Sequence, residues 1–269
     1  MTLISPPFRV HEPASAGPVV VEVPHAGTLI DEVAARFARV PPLALTADAD
    51  IAADELFGDV TREGAVLIIA TPSRFVIDLN TLPRVPTPSE DKLPYGLREV
   101  QRLSVSGERW LESPPPRTEI ERRIRHIFEP YHAAIAERLE TARARHGVAL
   151  LISAHSYPDV MFPRAADIVI GTRGDTTAAP RARETIAQVA AAHGLSVAHD
   201  DPFPGGYAIE RHARREGGLH ALQIEISRRL YCDPGAILPR PGDLARLRAF
   251  TRAVVSALTA VLQNDADKR

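Results

Sequence analysis

Two periodicities alternate along the chain. Runs of β-branched and aliphatic residues mark strands at 19–23, 65–70, 74–79, 150–155, 167–171, 195–198 and 219–227, with Thr71-Pro72-Ser73 as the turn between the second and third. Between these runs, apolar residues recur at three- and four-residue steps, the spacing of a helix with one buried side. Val33, Phe37 and Val40 place a short helix over 31–40. Ile51, Leu56 and Phe57 place another over 51–60, behind Asp48-Ala49-Asp50, whose carboxylates suit a helix start. The longest helix carries Ile120, Ile124, Phe128, Tyr131, Ile135 and Leu139 inward. An alanine-rich helix covers 180–193, with Pro180 in its first turn, and a closing helix covers 243–262. Strands alternating with helices predict an α/β fold: a three-layer α/β/α arrangement around a mixed, largely parallel sheet, in one domain spanning 1–269.

Two strands end in the same unusual way. Val19-Val20-Val21-Glu22-Val23 is broken by Pro24-His25-Ala26-Gly27, and Leu150-Leu151-Ile152-Ser153-Ala154 delivers His155 just before Pro158. Open α/β sheets place ligands at the carboxyl ends of their strands, so two strand-terminal histidines far apart in sequence predict one metal site. His126 and His132, on the long helix, read as surface or packing residues. The last strand adds a carboxylate. Alternation puts Leu222, Ile224 and Ile226 on one face and Gln223 and Glu225 on the other. A carboxylate in an apolar strand is costly unless it is paired or serves a site. Beside activated water, Glu225 would take a proton and return it to a leaving amine.

Composition narrows the field. Net charge is −2, from 32 basic and 34 acidic residues, which gives no bulk attraction to nucleic acid. No stretch approaches the roughly 18 apolar residues of a membrane span, and the first 17 residues lack a signal-peptide core, so a cytoplasmic location is expected. Cys232 is the only cysteine, which excludes an internal disulfide and a cysteine-rich zinc module and leaves histidine and carboxylate as metal ligands. Neither GxGxxG nor GxxxxGK[ST] occurs. Periodicity is lost over 80–116, where prolines accumulate; a segment of this length and character predicts an active-site lid or rim.

Taken in order, Pro24-His25-Ala26-Gly27, Asp50 with Asp54-Glu55-Leu56-Phe57, Arg74 to Asn80 (RFVIDLN), Ala154-His155-Ser156, Pro202-Phe203-Pro204-Gly205-Gly206-Tyr207 and Gln223-Ile224-Glu225 resemble the N-formylglutamate amidohydrolase family over nearly the whole chain. The resemblance implies a zinc-dependent amide hydrolase of zinc-exopeptidase-like fold. Its substrate would be a small N-acyl amino acid, foremost N-formyl-L-glutamate. It makes His25, Asp50 and His155 the metal ligands and Glu225 the general base and acid. Asp48 and Asp54 are alternatives to Asp50 that the sequence does not separate. A dicarboxylate substrate calls for arginines, and Arg211 and Arg74 are the candidates; Asp78 and Asn80 are expected to support the site. The family's strand closes Asp-Leu-Asn-Arg, whereas Thr81 follows Asn80 here, so another N-acyl amino acid is a possible substrate and Arg84 a possible replacement. Two rival readings are an amidase of peptides or cell-wall fragments and a non-catalytic carboxylate-binding protein.

Overall fold

The computed structural model describes residues 6–38, 48–82, 111, 115–158, 162–233 and 238–266. Seven strands form one sheet: β1 (Phe8–His11), β2 (Val19–Val23), β3 (Val66–Ala70), β4 (Ala149–Tyr157), β5 (Ile168–Gly171), β6 (Val197–His199) and β7 (Leu219–Ser227). Their order is β1-β3-β2-β4-β7-β5-β6. The central strands β3, β2, β4 and β7 run parallel, β1 and β5 pair antiparallel to β3 and β7, and β6 is parallel to β5. This is the mixed, largely parallel sheet that the alternation of elements predicts. The central strands are buried on both faces, as parallel strands covered by helices must be.

Helices cover both faces. On one, Val20, Ile68, Leu151 and Ala221 pack with Phe128, Tyr131, Ile135 and Leu139. These side chains come from a helix that runs as α3 (Arg117–Arg123), widens into a π turn (Ile124–Phe128) and continues as α4 (Glu129–His146). The widening adjoins Pro130, which has no N–H to donate into the regular ladder. On the other face, Val21, Ile152 and Ile224 pack with Leu56, Ile186, Leu247, Phe250 and Val254. Leu56 lies in the short helix α2 (Ala53–Leu56), Ile186 in α5 (Pro180–Ala192) and the last three in α7 (Pro241–Ala266). Two further short helices among the described residues are α1 (Glu32–Ala35), capped by the Asp31 carboxylate, and α6 (Tyr207–His212).

Four elements differ from the sequence reading, the first being the helix read over 31–40: only Glu32–Ala35 is helical, and residues 39–40, with Val40, lie outside the described residues. β1 occupies the edge of β3, and residues 74–79 form turns instead of a strand. Their apolar side chains do not alternate: Phe75 enters one cluster while Val76, Ile77 and Leu79 enter another. The Ser73 carbonyl accepts from Val76 N at 2.8 Å, which closes a turn. The helix read over 51–60 is only α2, followed by a 3-10 turn at Val60–Glu63. Ala52 sits in the left-handed region at φ 55°, reversing the chain just after Asp50. Most of the proline-rich segment, including Arg84, lies outside the described residues.

Candidate active site

Side chains on one face of a parallel pair stand side by side, and here the register decides which ones. His155 of β4 lies opposite Glu225 of β7, and Ser153 opposite Gln223. Toward the carboxyl ends of these strands, the face that begins with Leu151 and Ala221 therefore turns polar. His25 follows the end of β2 and stands with its ring centroid 5.0 Å from that of His155. The turn at Ala52 completes the group: Asp50 N donates to the His25 carbonyl at 3.0 Å, which pins the loop to the histidine strand. The Asp50 side chain does not cap α2. Its Oδ2 lies 2.8 Å from His155 Nδ1 and 3.8 Å from His25 Nδ1. One atom each from His25, Asp50 and His155 can be chosen so that all lie within 4.8 Å of one another. Asp48 lines the same cleft without joining this triplet, and Asp54 lines a separate depression beside Gly27 and Thr71.

The far sides of both rings are held. His25 Nε2 meets Asp78 Oδ1 at 2.8 Å, and His155 Nε2 meets Ser153 Oγ at 3.0 Å. His25 Nδ1 is buried with no hydrogen-bond partner. Burial alone would lower the His155 imidazole, but the Asp50 hydrogen bond and the charges of Glu225, Asp50 and Glu22 push it up to about 9. Burial pushes the Glu225 carboxyl up to about 7; His155 opposes this and Asp50 adds to it. Asp78 goes the other way: against its burial, the charges of His25 and Arg74 hold it well below the usual carboxylate range.

The neighbouring motifs act as braces. Asn80 Oδ1 accepts from Ala208 N at 2.8 Å, and its carbonyl accepts from Tyr207 N at 3.0 Å, tying the double-glycine loop to the site. Asn80 Nδ2 and Gly206 N both donate to Gln223 Oε1, and Gln223 Nε2 donates to Glu225 Oε1 at 3.0 Å. Arg74 opens onto the cleft with its Nη2 on Asp78 Oδ2 at 3.0 Å and Nη1 3.6 Å from Asp50. Arg211 is exposed and donates to the Tyr207 hydroxyl at 2.8 Å; it is not among the residues lining the cleft. His126 is exposed, and His132 is a buried packing residue.

Sequence reasoning missed Arg228, Ser153 and Glu22. Arg228 lines the cleft and donates to the Ala49 carbonyl at 2.5 Å, bracing the Asp50 loop. Glu22 is fully buried in β2, a lone carboxylate in an aliphatic run, which is the signal that singled out Glu225. The cleft encloses about 440 Å³ and is lined by the buried His25, Asp50, His155 and Glu225 and by the mutually packed rings of Tyr157, Phe162 and Phe203.

A small-molecule cleft at the carboxyl edge of parallel strands, with imidazoles, carboxylates and an oriented buried glutamate, defines a hydrolase of the α/β class. The model of the N-formylglutamate amidohydrolase family matches residues 17–232, and the chain belongs to that family. It is 30% identical over 254 residues to the N-formylglutamate deformylase of Pseudomonas aeruginosa, covering 90% of this chain and 93% of that one. With the N-formylglutamate deformylase of Pseudomonas putida the identity is 28% over 259 residues, covering 90% and 92%. The crystal structure of N-formylglutamate amidohydrolase from Ralstonia eutropha JMP134 superposes with a TM-score of 0.85 at 27% identity, covering 96% of this chain and 99% of that one.

Proposed function

We propose that this chain is a zinc-dependent amidohydrolase that converts N-formyl-L-glutamate to glutamate and formate. The observation that carries the metal reading is the convergence of His25 Nδ1, His155 Nδ1 and Asp50, with His25 Nδ1 buried and lacking a partner. Two imidazoles and one carboxylate, with room left in a cleft, match the donor set of catalytic zinc, so the residues fit the ion. His25, Asp50 and His155 would hold it. What such an ion supplies when bound is Lewis acidity, polarising the amide carbonyl and making water a competent nucleophile near neutral pH.

The chain's own residues do the rest. Glu225 takes a proton from the attacking water as its oxygen joins the formyl carbon, then returns a proton to the amino nitrogen as the C–N bond breaks. A carboxyl pushed up to about 7 suits both steps, and Gln223 fixes its orientation through Oε1. Asp78 and Ser153 orient the two imidazoles from behind. The substrate named for the relatives has two carboxylates. Arg74, with its guanidinium facing the cleft, is the candidate to bind one of them, joined by Arg228. Arg211 would have to leave Tyr207 to do so.

The test is the metal content of the purified protein, measured together with formate release from a panel of N-formyl and N-acyl amino acids before and after chelation. Stoichiometric zinc and chelation-sensitive cleavage of N-formylglutamate support the proposal. Cleavage of another member relocates the substrate, and chelation-resistant turnover overturns the metal reading.

A further inference from the structure

The cleft has a side that hydrolysis of a formyl group does not use. Tyr157 is the next residue of β4 on the face that carries His155, toward the carboxyl end of the strand. Its ring is buried, and the rings of Phe203 and Phe162 pack on it with centroids 5.1 and 6.1 Å away. Phe162 and Phe203 meet edge to face at 4.8 Å. The Tyr157 hydroxyl turns away from the cleft and donates to the Ala166 carbonyl, so what this wall offers is ring carbon. The wall also continues outward: Phe162 and Pro202 are shared with an adjoining depression of about 560 Å³ that has Ala165, Ala166 and Ala198 in its lining. Phe162 and Phe203 are left only half-buried.

Charge sits elsewhere in the cleft. Arg74, from the segment after β3, and Arg228, just after β7, bring their guanidinium groups to 3.6 and 3.9 Å from the same Asp50 oxygen. Phe162 precedes β5 and Phe203 follows β6, the two strands toward the opposite end of the sheet from β3. An amide lying over His155 and Glu225 therefore has cations toward one part and rings toward the other. The carboxylates of the amino acid belong with the arginines, which leaves the acyl group against the rings. A formyl group ends in a hydrogen and covers nothing there. Half-buried phenyl rings gain only when apolar surface is laid over them, and one more ring can extend the edge-to-face packing.

We propose that the same cleft hydrolyses N-acyl-L-glutamates whose acyl group ends in an aromatic ring, with Phe162 and Phe203 binding that ring and selecting for it. The inference rests on the amidohydrolase reading above and extends it from formyl to a larger acyl class. The balance is that of amide hydrolysis: the water oxygen joins the acyl carbon, the C–N bond breaks, Glu225 passes the water's proton to the leaving nitrogen, and an aryl-substituted carboxylic acid departs with glutamate.

The experiment measures kcat/KM of the full chain, with zinc supplied, for the formyl, acetyl and phenylacetyl derivatives of L-glutamate and for N-formyl-L-phenylalanine, in wild type, Phe162→Ala and Phe162→Tyr. Acetyl and phenylacetyl amides have similarly reactive carbonyls, so their ratio reads the binding of the ring. Phenylacetylglutamate is expected to exceed acetylglutamate about tenfold or more in wild type. Phe162→Ala is expected to lower that ratio about 3–10-fold, through KM, and Phe162→Tyr, which keeps the ring, to restore it. Cleavage of formylglutamate with phenylacetylglutamate no better than acetylglutamate overturns the inference alone, and this wild-type comparison decides the matter even if a variant does not fold. Preference for N-formyl-L-phenylalanine over phenylacetylglutamate also overturns it, by placing the rings on the amino-acid side chain. A ratio unmoved in folded Phe162→Ala overturns the role given to that ring. No cleavage of any N-acylglutamate overturns the amidohydrolase reading as well.

Discussion

Replacing one carboxylate oxygen of Glu225 by an amide nitrogen separates ion binding from chemistry. Glu225→Gln keeps the side chain's shape but removes its capacity to take a proton. The expected result is zinc content equal to wild type with turnover lower by about 10²–10⁴-fold; near-native turnover would remove Glu225 from the proton-transfer role. His155→Ala is expected to lose the ion altogether, as read by metal analysis of the purified variant, and full occupancy would strike it from the ligand set. At this scale much was legible. His25, His155 and Glu225 each break an aliphatic run, and a polar group in a buried strand demands a reason. Asp50 was not separable from Asp48 and Asp54, because the choice depends on the chain reversal at Ala52, which brings one carboxylate back to the histidines. Nor was Arg211 separable from Arg74 as a substrate-facing group: arginine side chains are long, and which way each guanidinium turns depends on neighbours distant in sequence.

The elements around the site set its tolerance. A Cβ on Gly206 would lie 2.3–2.5 Å from the Asn80 side chain, so Gly206→Ala is expected to push Asn80 off Gln223 and reduce kcat/KM, with a lowered Tm in the same preparation. A second joint ties α4 and α6 to the segment before Asn80. His132 donates from Nε2 to the Leu79 carbonyl at 2.9 Å and accepts at Nδ1 from His212 Nε2 at 2.9 Å. Burial, with the nearby charges of Arg211 and Arg214, pushes the His212 imidazole down to about 3. The unfolded chain then binds a proton near 6.5 that the folded chain refuses. Stability from this group is full above 6.5 and is lost as pH falls toward 3, at up to about 1.4 kcal/mol per pH unit. His212→Gln keeps an N–H for His132, so urea unfolding at pH 7 and pH 5 is expected to show a shallower pH dependence; an identical slope would exclude His212 as its source. Elements with strong periodicity, such as β4, β7 and α7, were read correctly. β1 and the turns at 74–79 were not, because a free sheet edge accepts whichever segment the fold brings to it, and Phe75 to Leu79 are buried on all sides without alternation.

For the whole molecule, the site is a patch of polar groups at the carboxyl ends of strands whose faces are packed mainly with apolar side chains, so the fold is expected to stand without the proposed ion. Chelation is expected to leave the far-UV spectrum unchanged and to lower Tm, since an ion that binds only the native state stabilises it by about 4 kcal/mol at a thousandfold excess over Kd. Loss of secondary structure on chelation would mean that the triplet is a folding centre instead. Among the described residues no helix is long and apolar enough to cross a membrane. The sequence by itself determined the α/β class, the main strands and the residue types of the site, because periodicity and the cost of burying polar groups are local properties of a chain. Only the tertiary structure decided which aspartate joins the histidines and which nitrogen each ring turns inward. Those choices depend on strand register, on one reversed turn and on hydrogen bonds between residues more than a hundred positions apart.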